Sequence, residues 1–378
     1  MLPSRGQKPS TPAPIDSSTV DGWTAFASDY ERTNEPTNPG ELPEDAAVEP
    51  FVDGGQYLEQ EPILTSSGLC LGIDGTEDQN RKSGFHAFDH DAERLWVVEE
   101  EKSKATPTQV GETIFLTSGG STRAVDAATG EAYWSLPHGT GRPQSSPGFA
   151  DGDLYVCSDG VVAVDARTGE IRWTAGEDRS QPMGIAISGK ALYVTAGDSG
   201  SGVVYRVDRE SGNLDWITNL QNPSYAVPVI TDHGICITET NGTLRLLGDV
   251  AGIETWAFPT GENNQAHPAY SEGTVYFVPT SGERLYAIDA KSGAVNWEFG
   301  FDGGGPQTPT VMDGFVYFPT AAAGGTVHKI DAETGEEVAD WALPQKPSSS
   351  LVIYEDTGLI STGVSETESV VYVITDST

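Results

Sequence analysis

One turn, repeated, constrains this chain more than anything else in it. Residues 163–173 read AVDARTGEIRW. Val162 and Val164 alternate with small residues, as on a half-buried strand. Asp165 can bond its own backbone two residues on, and Gly169 supplies the positive φ that a short hairpin needs. Trp173 then falls on the returning strand. Related turns end at Trp96, Trp134, Trp173, Trp216, Trp256, Trp297 and Trp341, spaced 38 to 44 residues apart. A period of that length belongs to four-stranded repeats arranged in a ring, so the chain is an array before it is anything else.

Each unit has one grammar. A Pro-containing start leads into a first strand, and a turn such as Asp-Gly leads into a second (DLYVCS, TVYFVP, FVYFPT). A variable loop reaches the third strand (VVAVDA, LYAIDA, VHKIDA), and a Thr-Gly or Ser-Gly turn leads to the fourth, which carries the Trp. Four consecutive hairpin-linked strands form an antiparallel meander, the unit of a propeller blade. Three units match A-x-D-x-x-[TS]-G-x-x-x-W in full, ending at Trp134, Trp173 and Trp297. The first lacks the Gly, the fourth has Arg206 for Ala, the fifth has Gly248 for Asp, and the seventh reads as carrying two extra residues before Trp341. Residues 348–374 supply three more strands and stop. The segment around 46–52 (AVEPFV, then DGG) supplies the missing one, which predicts an all-β, eight-bladed propeller closed by an N-terminal strand. Closure removes the open edges that a linear array would leave.

The division of the chain follows. Residues 1–22 are a Pro/Ser/Thr-rich tether, 23–46 a lead-in, and 47–378 a single eight-bladed propeller. The 44 Gly and 24 Pro suit short strands and turns and exclude a helical protein. The tether suits attachment to a surface through an anchor outside this sequence, hence an extracytoplasmic, lipoprotein-like location. No apolar run reaches membrane-spanning length.

Charge bounds the partners. With 56 acidic and 21 basic residues, the net charge is −35. A phosphate backbone requires a basic footprint that is absent, so nucleic acid is excluded as a partner. An acidic, Lys-poor surface spread over turns and strand faces points to a high-salt habitat. Cys70, Cys157 and Cys236 lie in separate apolar runs, which predicts buried free thiols and neither a disulfide framework nor a zinc site. His86 and His90, four apart on an extended segment, sit too far apart to share a metal unless the turn folds them together. The Asp-rich loop at 74–80 lacks EF-hand spacing and reads as a solvated loop.

The A-x-D-x-x-T-G-x-x-x-W element resembles the repeat of the pyrroloquinoline-quinone-like (PQQ-like) β-propeller family, where it is a tryptophan-docking motif. The resemblance spans residues 47–378, and Trp23 to Gly40 looks like the lead-in that precedes such propellers. It implies either of two functions. One branch comprises quinone- and Ca²⁺-dependent alcohol or sugar dehydrogenases. The other is non-catalytic and includes outer-membrane β-barrel assembly lipoproteins. The catalytic branch has an adjacent Cys-Cys pair beside the quinone and Glu, Asn and Asp ligands for Ca²⁺. This sequence has no adjacent cysteines and no recognisable ligand motif, so the resemblance implies the non-catalytic branch, with no catalytic residue, quinone or metal. The dehydrogenase is the alternative.

Seven tryptophans at one repeated position read as packing between blades, because a ligand site breaks symmetry. Recognition belongs where the repeat fails. In a meander the first-to-second and third-to-fourth turns share one face, here called the turn face. The second-to-third loops and the blade-to-blade crossings share the other, the loop face. The unequal loops are at 72–84, 195–204, 320–327 and 364–369. The crossings carry Gln144, Gln181, Tyr225, Gln265, His267, Gln307 and Ser348 toward the channel mouth. This predicts a loop-face mouth that binds a protein, peptide or glycan on a monomeric, non-enzymatic scaffold.

Overall fold

The computed structural model describes residues 41–378 except 56–57, 59–60, 66–67, 74–82, 101–104, 119, 138–145, 177–180, 198–199, 306, 322–323, 364–368 and 377–378. The tether, residues 23–40 of the lead-in, the Asp-rich loop and Gln144 lie outside the described residues. The described residues form 32 strands in eight four-stranded antiparallel sheets and no helix. This is an eight-bladed β-propeller.

Blade 3 shows the unit: β10 (Gly148–Ala150), β11 (Asp153–Cys157), β12 (Val161–Asp165) and β13 (Ile171–Ala175), paired in that order. The first strand is short and innermost, and first strands of adjacent blades touch around the channel from blade 3 to blade 7 and between blades 8 and 1. The two middle strands are almost wholly buried, because both of their faces pack on neighbouring blades. The fourth strand is the exposed rim. Blade 8 pairs β30 (Val352–Tyr354), β31 (Thr357–Thr362) and β32 (Ser369–Thr375) with β1 (Ala47–Gly55), Ala47 opposite Thr375. The N-terminal strand closes the ring, as the sequence predicts, and runs three residues further than expected.

The blades are joined by a repeated dock. Trp96, Trp134, Trp173, Trp216, Trp256 and Trp297 each lie against the left-handed glycine of the next blade's turn: Gly130, Gly169, Gly212, Gly252, Gly293 and Gly335. These glycines have φ between +62° and +75°, and an added Cβ would come within 2.5–2.8 Å of the indole. Glycine is required twice over, for the backbone and for the close approach. Each indole N–H donates at 2.7–3.0 Å to a carbonyl of that turn: Ala127, Ala166, Arg209, Asp249, Ala290 or Ala332. In most turns the Asp side chain caps the backbone. Asp126, Asp208, Asp289 and Asp331 each accept the N–H three residues on at 2.7–2.9 Å. In blade 5, Gly248 keeps the turn without that cap, through backbone bonds to Ile253 and Gly252.

Trp341 departs from this scheme, which corrects its assignment to the docking position. Across blade 6 one ladder pairs Tyr276, Ala287 and Trp297. In blade 7 the same ladder is Tyr317, Lys329 and Ala339. No residues are inserted before Trp341: the residue four past Gly335 is Ala339, and Trp341 lies two residues further along its strand, opposite Val327. Trp341 is buried and stacks on Tyr317 at 6.4 Å, but among the described residues its indole N–H has no acceptor.

Cys70, Cys157 and Cys236 are buried free thiols in blades 1, 3 and 5. Burial pushes the Cys70 and Cys236 thiols far up from their ordinary range.

Candidate loop-face recognition site

Reversal of the chain at every hairpin places the Asp-capped turns on one face. The second-to-third loops and crossings lie on the other. The two faces differ in chemistry. The turn face carries Asp and Glu at nearly every turn, for example Asp165 with Glu170, and Asp331 with Glu333 and Glu336. The hydrogen bonds of Ser211 to Asp208, and of the Thr334 backbone N–H and hydroxyl to Asp331, hold those carboxyls below the usual range. From the crossing at 221–228 round to 343–351, the loop face is instead rich in Asn, Gln, Thr, Ser and Gly.

Those loops are zipped together. The Thr240 N–H donates to the Pro223 carbonyl at 2.9 Å, and the Asn264 N–H to the Thr240 carbonyl at 3.0 Å. The Thr280 hydroxyl accepts the Gln265 and Ala266 N–H groups at 2.8 and 3.1 Å, and the Gly305 N–H donates to the Thr280 carbonyl. The belt continues through Gly304 to Ala321 and through Gly325 to Leu343. Beneath it, Glu239 is wholly buried, held by Arg245 and by the Asn222 backbone and amide. Sequence reading missed Glu239. Only its place directly after an apolar strand (GICIT) hints that it is enclosed.

Further in, Thr195 and Thr310 hydroxyls donate to the carbonyls of Ala226 and Leu351 in the next blade, both at 2.7 Å. The backbone N–H of Val227 donates to His267 Nδ1 at 2.7 Å, and the His267 N–H donates to the Thr308 hydroxyl at 3.1 Å. His267 therefore ties three crossings together. Gln181 and Gln265 are exposed, Tyr225 and Gln307 half-buried. Ser348 is anchored through its N–H to the Ser361 carbonyl at 2.9 Å. Gln265, Gln307 and Tyr225 sit on consecutive crossings of blades 5 to 7, whereas Gln181 lies one blade earlier and Ser348 one blade later. The result is a pre-ordered surface of amides, hydroxyls and backbone edges, suited to hydrogen bonding with an uncharged or extended polar partner.

Cofactor chemistry fits these residues poorly. Among the described residues no group of three or more His, Cys, Asp or Glu side chains is placed to hold a metal ion. The three thiols lie in separate blades, so no cysteine pair can flank a quinone. No step is derived through either group.

The model of the outer membrane protein assembly factor BamB family matches residues 40–218, 158–266 and 240–375. Curated relatives include BamB of Yersinia pestis, 24% identical over 202 residues, which make up 47% of this chain and 50% of that protein. Another, the serine/threonine-protein kinase AfsK of Streptomyces griseus, is 27% identical over 195 residues, 47% of this chain and 23% of that protein. The chain thus spans half or less of the length of these relatives. Among solved structures, BamB of Moraxella catarrhalis superposes with a TM-score of 0.66 at 15% identity, covering 88% of this chain and 98% of that one. Quinohemoprotein alcohol dehydrogenase of Comamonas testosteroni gives 0.75 at 13% identity, covering 95% and 81%. At such identities both likenesses concern the fold alone.

Proposed function

The chain belongs to the outer membrane protein assembly factor BamB family, and on that premise we propose that it is a non-enzymatic, extracytoplasmic scaffold that holds a partner protein on its loop face. The observation that supports this most is the hydrogen-bonded belt from Pro223 to Leu343, which fixes amide- and glycine-rich loops in one arrangement. A surface ordered before binding spends little conformational entropy on capture. Its low charge also lets a partner approach a protein of net charge −35 without meeting most of that charge. The turn face is less suited, because its carboxylates are engaged in capping.

The test places a photo-crosslinking residue at Gln265 and, as control, at Glu170 on the turn face. Covalent capture of a defined protein from Gln265 alone, lost when Tyr225 and Gln307 on the flanking crossings are both changed to alanine, supports the reading. Equal capture from Glu170, or capture that survives the substitutions, overturns it. His267 is left intact, because its substitution would loosen three crossings and confound the result. Reconstitution with quinone and Ca²⁺ tests the enzymatic branch: a bound chromophore with dye reduction by an alcohol or sugar would refute the non-enzymatic assignment.

A further inference from the structure

Neither junction of blade 8 carries an indole dock, and the one it shares with blade 7 is filled from the lead-in. Its docking indole is absent, since Ala339 stands at that ladder position. The turn that would receive an indole is also absent, since the third and fourth strands of blade 8 come from opposite ends of the propeller. Two further changes sit at the same place. Lys329 stands where blades 1, 2, 3 and 6 carry alanine, and it is wholly buried. Gly358 replaces a branched aliphatic residue: at its register position the other blades carry Leu69, Ile114, Leu154, Leu192, Ile235, Val275 and Val316. The φ of Gly358 is not positive, so the glycine serves space and not backbone.

The lead-in fills both gaps. Leu42 is wholly buried, and its Cδ1 lies 3.1 Å from where a Gly358 Cβ would stand. Lys329 Nζ donates to Glu41 Oε1 at 2.6 Å and to the Leu42 carbonyl at 3.2 Å, and lies 4.3 Å from the centre of the Phe315 ring. Leu42 supplies from the lead-in the side chain that β31 lacks. Lys329 holds the backbone that carries it. A buried ammonium tolerates its position only while such partners are present.

We propose that this seam is a receptor seat for a leucine preceded by a carboxylate, occupied in cis by Glu41–Leu42, and that this clasp makes it the releasable junction of the ring. The six indole docks are internal to the chain on both sides. Here, withdrawal of two residues uncovers Gly358 and leaves β1 held through its ladder with β32, so this seam opens more readily than the six indole docks.

Hydrogen exchange followed by mass spectrometry tests this on the full chain. Leu42→Ala should speed exchange in β1 and β32 by about tenfold or more while β11 and β12 of blade 3 stay within about twofold. Gly358→Val fills the seat and evicts Leu42, so it should speed exchange in residues 41–46 and in β1. The double variant Leu42→Gly, Gly358→Val returns the missing side chain to blade 8 itself. It should restore protection in β30 and β31 while leaving residues 41–46 fast. Glu41→Gln should speed opening more than Lys329→Met, which removes the buried charge together with its need for a partner. Equal acceleration in all eight blades, no acceleration in Leu42→Ala, or failure of the double variant to restore β30 and β31 would each overturn the proposal.

Discussion

Trp134→Phe and Trp341→Phe remove the same atoms from two equally buried indoles, and they should not cost the same. Each loses roughly 1–2 kcal/mol of apolar contact as the larger ring is replaced by the smaller. Trp134 also gives up its hydrogen bond to the Ala166 carbonyl, 2.9 Å away in the next blade, and leaves that acceptor without its donor. A bond of that kind contributes about 1 kcal/mol net, and a stranded buried partner adds to the loss. The total for Trp134→Phe is about 2–3 kcal/mol. Trp341 has no bond to lose, because among the described residues its buried N–H has no acceptor. Deleting that N–H removes an unmet polar group and offsets the lost contact, leaving a cost of about 1 kcal/mol or less. Urea unfolding of both variants, fitted for midpoint and slope, measures the difference. Costs equal to within about 0.5 kcal/mol would refute the claim that Trp134 acts as a cross-blade donor and Trp341 does not.

The glycine half of the dock is tested by Gly293→Ala against Gly261→Ala. Both residues have φ near +75°, but an added Cβ meets Trp256 at 2.8 Å in the first and open space in the second. Backbone strain of about 1 kcal/mol is common to both, so a larger loss for Gly293→Ala, by about 1–3 kcal/mol, isolates the contact. The capping aspartates set an acid limb. The Ser211 side chain and backbone N–H lower Asp208, the Ser292 side chain and backbone N–H lower Asp289, and the Thr334 N–H and hydroxyl lower Asp331. Folded values below the unfolded one, about 3.9, mean that the unfolded chain binds more protons. The stabilisation is complete above about pH 4 and falls as pH drops through the folded values. The triple Asn variant at these positions should be less stable at pH 7 and lose less on going from pH 4 to pH 2 in an acid titration; a slope as steep as the parent's would contradict the capping account.

Much of the fold is legible in the sequence because a ring of identical joints needs the same residues in each copy. Asp165, Gly169 and Trp173 announce a joint by recurring, and the partial unit at the end calls for the strand that starts at Ala47. What escapes is any feature defined by register. The seven residues from Gly335 to Trp341 read as an insertion before the docking indole, and only the pairing of Lys329 with Ala339 shows that Ala339 holds that position. Lys329 looks like a surface lysine in VHKIDA until Leu42, almost three hundred residues away, is seen beside it. His267 sits on the crossing into blade 6. Its ring is engaged by Val227, forty residues earlier, a contact no local pattern encodes. Non-repeating loops mark the loop face as the variable one, but the belt that orders them runs between crossings and becomes visible only once the blades are placed.

The three cysteines give the ring a set of internal clocks. Cys70, Cys157 and Cys236 lie buried on the second strands of blades 1, 3 and 5, and burial keeps Cys70 and Cys236 in the unreactive thiol form. A thiol reagent modifies such a group only while its blade is parted from a neighbour, so the labelling rate of each residue times the opening of its own sector. Counted round the ring from the seam between blades 7 and 8, Cys70 is nearest, Cys236 next and Cys157 farthest. If the propeller yields at its seam, the three rates will be ordered Cys70, then Cys236, then Cys157, and the unmodified chain carries its own record of where the ring first comes apart.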